Sequence, residues 1–141
     1  MSVEILSRIS ERLNISLDDE SSSALTVAIN SAKGCDIYTV HILQALMQNK
    51  IIMQRLRDDN IDVQELTLSI QKYISAIKPT ARVHQDFTPG AKNLLEVAHQ
   101  IMKHQNEALI SPMHIFDAMF YTIGNDAPIM LAHHYQSAQA K

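Results

Sequence analysis

The side chains that could carry out chemistry in this chain are one cysteine and seven histidines. Cys35 and His41 have the residue types of a nucleophile and a general base. Cys35, however, follows the predicted end of a helix, where the negative end of the helix dipole disfavours the reactive thiolate. Cys35 is therefore predicted to be an ordinary free thiol, and no catalytic residue is assigned.

The histidines do not form a metal-binding pattern. His133 and His134 are adjacent, so on a helix their side chains diverge by about 100° and do not share one ion. His41 and His114 each follow a predicted helix start and have apolar neighbours. That setting is typical of structural histidines that bond to nearby backbone. The sequence predicts no metal and no cofactor.

Composition indicates a single all-α domain that carries no enzyme site. The 141 residues include only 3 Gly and 4 Pro, which favours helices. The net charge of −3 argues against nucleic-acid binding, so Lys50, Arg55 and Arg57 are expected on a solvated face. No apolar run reaches the ~20 residues that span a bilayer, and the N-terminal residues are charged throughout. Cytoplasmic localisation is expected, without a membrane partner, and the oligomeric state stays open.

Turn and cap residues divide the chain into four parts. An amphipathic N-terminal helix is expected within residues 1–16, and a unit of four helices within residues 17–78. Residues 79–87 contain a proline and mixed charge without helical period, which predicts a linker inside the domain. The pairs Thr88-Pro89 and Ser111-Pro112 each combine a cap with proline at the first helical position. They indicate that a second helical unit occupies residues 88–141.

The two units are copies of one another. S-A-L-T-V-A-I-N-S-A-K at residues 23–33 matches N-L-L-E-V-A-H-Q-I-M-K at residues 93–103 with an offset of 70. V-H-I-L-Q-A-L at residues 40–46 matches M-H-I-F-D-A-M at residues 113–119 with an offset of 73. Two helical units of this kind can bury their apolar sides against each other, which predicts one shared core.

These motifs, together with F-T-P-G-A-K-N-L-L-E-V-A, resemble the double Clp N-terminal domain that precedes the AAA+ modules of Clp ATPases. The resemblance covers about residues 17–135. It implies two pseudo-symmetric four-helix repeats, the second one truncated, in one compact domain. The E-R-L-N segment before the first repeat is similar to the corresponding segment of the ClpV branch, the type VI secretion ATPase that recycles contracted sheaths.

The resemblance implies a protein-binding module that recognises a substrate or adaptor helix for a Clp-type AAA+ unfoldase. No phosphate-binding loop is present in the sequence, so these residues are not expected to hydrolyse ATP. Some Clp ATPases hold phosphoarginine through a glutamate just before each repeat's histidine. Here those positions are Val40 and Met113, which argues against that ligand. A free-standing accessory protein of a secretion or proteolysis system is the alternative, decided by whether the natural chain continues into AAA+ modules.

Two apolar surfaces are candidates for the partner helix, because helical modules commonly accept an amphipathic helix in an apolar groove. The first surface consists of Leu6, Ile9, Leu13, Ile15 and Leu17. The second consists of Met119, Phe120, Tyr121 and Met130, where the second unit lacks a counterpart of the long helix that closes the first. Plain core packing is the competing interpretation of both sets.

Overall fold

The structure, a computed structural model, describes residues 2–79, 85–122 and 126–139. Within these ranges the chain forms eight α-helices and no strand, which confirms the predicted all-α class. None of the described helices is long and apolar enough to cross a membrane. The helices are α1 (Ser2–Leu13), α2 (Asp19–Ser31), α3 (Thr39–Leu46), α4 (Lys50–Asp58), α5 (Val63–Ala76), α6 (Pro89–His104), α7 (Pro112–Ala118) and α8 (Asp126–Gln139).

Side-chain caps begin several helices close to the predicted places. The Asp62 carboxylate accepts the Glu65 N–H (3.1 Å), and Thr88 Oγ1 accepts the Ala91 N–H (3.1 Å) just before Pro89. Each bond satisfies a backbone donor that has no partner inside the helix. α3 begins at Thr39, and its N-cap is Tyr38.

Residues in the left-handed region follow the ends of several helices. Gly34 has φ of +88° after α2. Asparagines take the same region after α1, α4 and α6, because their short polar side chains tolerate it better than most. These are Asn14, Asn60 and Asn106, with φ of 55°, 63° and 59°.

Two short parallel contacts join the repeats and show their pseudo-symmetry. Leu17 pairs with Ile110, and Ile37 pairs with Phe87. With the offsets of 70 and 73, Leu17 corresponds to Phe87, and Ile37 corresponds to Ile110. Exchange of the repeats therefore converts one contact into the other. The core lies between the two units, and Ile37, Phe87 and Ile110 are fully buried in it.

The repeats differ in how they end. α4 packs on α7, and α8 packs on α3, so α8 takes the place in the second repeat that α4 takes in the first. α8 extends for 14 residues and also packs on α5. The described residues contain no second counterpart of α5. The boundaries at residues 17, 79 and 88 stay a prediction, and residues 80–84 of the predicted linker lie outside the described residues.

Candidate protein-binding surface

The two repeat histidines hold the starts of α3 and α7. His41 Nδ1 accepts the Tyr38 N–H (2.9 Å), and His114 Nδ1 accepts the Ser111 N–H (2.8 Å). Both side chains are buried, and burial lowers the pKa of His41, against a smaller opposing effect of the Asp126 carboxylate. The predicted role of these histidines, a bond to nearby backbone, is confirmed.

A carboxylate from the second repeat caps a helix of the first. Asp126, the first residue of α8, accepts the Thr39 hydroxyl through Oδ1 (2.6 Å) and the Val40 N–H through Oδ2 (2.8 Å). Thr39 Oγ1 in turn accepts the Ala127 N–H (3.0 Å). A negative charge at a helix N-terminus also stabilises the helix dipole. These contacts fix α8 to α3 in a defined register.

Arg55 ties α4 to α7, contrary to its predicted place on a solvated face. Its Nη1 donates to the Asp117 carboxylate and lies 3.3 Å from Met113 Sδ, while its Nε lies 3.7 Å from Asp59 Oδ2. Burial alone would lower the pKa of Arg55, but the hydrogen bond and charge of Asp117 raise it above its usual value. Arg55 is therefore a half-buried, paired cation.

Aromatic rings surround this ion pair. The Arg55 guanidinium lies 5.1 Å from the Phe116 ring centroid and 5.7 Å from that of Phe120, within cation–π range. Phe120 packs edge-on against Tyr135 of α8 at 5.0 Å. Tyr135 Oη donates to Asp59 Oδ2 (2.6 Å), and burial together with that bond raises the pKa of Tyr135. The cluster anchors α4, α7 and the second half of α8 to one another.

A groove opens beside this cluster, where the C-terminal ends of α6 and α7 meet α4. We call it the α6–α7 groove. Its volume is about 620 Å³, within the range of ligand-sized clefts. Phe120 is 39% exposed and Tyr121 is 72% exposed, so both aromatic side chains are accessible in part at its edge. The lining residues are Arg55, Gln100, Ile101, His104, Gln105, Asp117, Phe120 and Tyr121.

The nine residues predicted to line a binding surface separate into three groups. Three are buried in the core and are unavailable to a partner in this structure, because the repeats pack on them: Ile9, Ile15 and Met119. Four are half-buried and pack against the core: Leu6, Leu13, Leu17 and Met130. Two are exposed at the α6–α7 groove: Phe120 and Tyr121.

Groups that could hold a metal ion are absent from the part of the chain that the structure describes, where no three His, Cys, Asp or Glu side chains converge. Cys35 is a half-exposed free thiol. The groove offers aromatic faces, an aliphatic side chain, two amides and an imidazole around one ion pair.

The model of the Clp repeat (R) N-terminal domain family matches residues 8–130. The chain belongs to this family. A comparison with curated proteins finds no match. The match extends into both helical units.

Solved structures of Clp-type domains share the fold. The N-terminal domain of the ClpV1 ATPase from the E. coli EAEC Sci1 T6SS has a TM-score of 0.75 at 16% identity, covering 98% of this chain and 90% of its own. The Hsp104 N-terminal domain from Candida albicans has a TM-score of 0.73 at 13% identity, with 88% and 82% covered. A structure described as a peptide from the EAEC T6SS Sci1 SciI protein has a TM-score of 0.69 at 18% identity, with 88% and 84% covered.

Proposed function

We propose that this Clp N-terminal domain is a protein-binding module that holds a helical segment of a partner for a Clp-type AAA+ ATPase. The observation that carries the proposal is the α6–α7 groove, where Phe120 and Tyr121 are exposed beside Ile101. Rigid aromatic side chains are the commonest anchors of protein interfaces, and an apolar groove between helices suits an amphipathic helix. Recognition without covalent chemistry agrees with the absence of any catalytic assignment.

The partner we propose is a sheath subunit of a type VI secretion system. Two similarities support it. The ClpV1 domain, from a type VI secretion ATPase, covers 98% of this chain with a TM-score of 0.75. A second similar structure is described as a peptide of the SciI protein from the same secretion system. In this proposal, the ATPase modules that do the mechanical work lie in another part of the natural chain or in another protein. A free-standing accessory protein stays the alternative.

The N-terminal surface is a second candidate position for the partner. Leu6 and Leu13 of α1 are half-buried, and Leu17 lies at the contact with Ile110, so an apolar strip runs from α1 to the junction of the repeats. Unlike the groove, this strip contains no aromatic side chain.

Fluorescence anisotropy with a labelled SciI-derived peptide tests the proposal and separates the two surfaces. We expect Tyr121→Asp to weaken binding about tenfold or more, a loss of at least about 1.4 kcal/mol. We expect Leu6→Asp to have less effect. Leu68→Asp is the matched control, because Leu68 is 65% exposed on α5, outside the groove lining.

The possible results have distinct meanings. If Leu6→Asp abolishes binding and Tyr121→Asp does not, the N-terminal surface is the site. If neither the wild-type domain nor any variant binds the peptide, the type VI partner is wrong. If all three variants weaken binding equally, the groove assignment is wrong.

A further inference from the structure

We propose that the α6–α7 groove selects one class of occupant: an amphipathic helix with the side-chain pattern of α5, supplied by a partner protein. The inference rests on the proposed helix-binding function and adds the chemistry of the helix that binds. Its evidence comes from the internal repeat, because the first repeat already contains such a helix against the corresponding residues.

The correspondence follows from the offset of 73 that relates α3 to α7. A crevice of about 220 Å³ lies between α3, α4 and α5 in the first repeat. Three residues that line it, in α3 and just after its end, correspond to three residues that line the α6–α7 groove. The pairs, in order, are Gln44, Met47 and Gln48 with Asp117, Phe120 and Tyr121, while the α6 residues of the groove have no counterpart in the crevice.

The two corresponding surfaces differ in what covers them. In the first repeat, Val63, Thr67 and Ile70 of α5 line the crevice beside Met47, which is half-buried against the core. In the second repeat, no helix of the described residues closes the groove in this way, and its volume is about 620 Å³. The position of Met47 is taken there by Phe120, a larger apolar side chain that is nevertheless 39% exposed. At three positions, the second repeat therefore lacks the helix that borders the corresponding positions of the first repeat.

The pattern of α5 defines the apolar face of the occupant. Leu66 and Ile70 of α5 are buried, and Val63 and Ile74 pack against the core, so apolar residues lie at i, i+3, i+7 and i+11 on one side of the helix. The Thr67 hydroxyl at the edge of this face donates to the Val63 carbonyl of its own helix (2.8 Å). We expect a partner helix with aliphatic residues at the same four spacings.

The charges of the groove define the flanks of the occupant. Its one guanidinium, Arg55, and its one carboxylate, Asp117, form an ion pair and neutralise each other. Gln100 and Gln105 add uncharged amides that can hydrogen-bond to polar flanks. A strongly charged helix would have to desolvate its charges without compensation. α5 matches this surface, since Glu65 and Lys72 leave residues 63–76 without net charge.

The probe for the test is a synthetic peptide of residues 61–78, with blocked ends, titrated into the intact domain by calorimetry. We expect it to bind the wild type, and to bind Tyr121→Asp about tenfold or more weakly. Tyr121→Ala is a milder second variant, and circular dichroism checks that both are folded. The Leu68→Asp domain is the matched control and should bind as the wild type does.

Three results would overturn the inference. One is equal binding of a scrambled peptide of the same composition, because the spacing of the apolar residues would then be irrelevant. Another is equal binding to the wild type and Tyr121→Asp, as expected if the peptide replaced α5 in the first repeat. The third is a dimer in light scattering that Tyr121→Asp dissociates, because a second copy of the chain would then fill the groove.

The SciI-peptide titration distinguishes failure of this inference from failure of the proposed function. If the SciI peptide binds at the groove and the α5 peptide does not bind, the helix-binding function stands and the α5-like chemistry is wrong. If the α5 peptide binds at the groove and the SciI peptide does not, the chemistry stands and the type VI partner is wrong.

Discussion

We expect the replacement of Asp126 by alanine to destabilise the domain more than the replacement of any other surface carboxylate tested below. The Asp126 carboxylate accepts the Thr39 hydroxyl and the Val40 N–H, and both of those residues are fully buried. The substitution removes the acceptor of two buried donors at once. It also removes the negative charge from the N-terminus of α3.

The magnitude follows from the two donors. A buried donor left without an acceptor costs roughly 1–3 kcal/mol. Asp126 itself is half-buried, so water can partly replace its oxygens, and the total loss should lie in the lower half of the combined range of roughly 2–6 kcal/mol, at about 3 kcal/mol. Asp126→Asn keeps one carbonyl oxygen and can still satisfy one donor, so about half that loss is expected.

Urea unfolding followed by circular dichroism measures these differences, and a thermal melt should show a fall of roughly 6–12 °C for Asp126→Ala. Asp58→Ala is the control, because Asp58 accepts an exposed bond from Gln54 on the surface of α4, and a change within about 0.5 kcal/mol is expected. The reasoning is refuted if Asp126→Ala is as stable as Asp58→Ala, or if Asp126→Asn is the less stable of the two Asp126 variants.

Three further predictions concern stability. Burial lowers the pKa of His41 below the unfolded value of 6.5, so the unfolded chain binds a proton at a higher pH than the folded chain does. Urea unfolding at pH 7.5 and 5.5 should therefore show a loss of stability as the pH falls below 6.5, and His41→Gln should show a smaller loss. Phe87→Ala should cost about 3–5 kcal/mol by the same assay, since Phe87 is buried at the repeat junction; a loss below 1 kcal/mol would contradict that packing. Asn60→Val should cost about 1–2 kcal/mol, because φ at Asn60 is 63°, while Asn60→Gly should be tolerated.

Local features of the fold could be predicted from the sequence because they depend on neighbouring residues. The Asp62 and Thr88 caps and the left-handed Asn60 act within a few positions along the chain. The repeat was visible because the matched residues keep their order and spacing. The bonds of His41 and His114 to nearby backbone were also predictable, since each spans three residues.

Long-range contacts could not be predicted from the sequence, because no periodicity encodes them. Asp126 reaches Thr39 across 87 positions, and Arg55 reaches Asp117 across 62. Helical spacing identified Ile9 and Met119 as apolar positions but could not show that neighbouring helices bury them. Asp59 lies one helical turn after Arg55, and this i, i+4 pair was a signal in the sequence that Arg55 has a partner.

The most direct test of the central claim, that a partner helix binds in the α6–α7 groove, is an NMR titration of the ¹⁵N-labelled domain with the SciI-derived peptide. We expect the largest amide shifts at the C-terminal ends of α6 and α7, around Ile101, Gln105, Phe120 and Tyr121. Largest shifts on α1 around Leu6 and Leu13, with the groove amides unmoved, would contradict it.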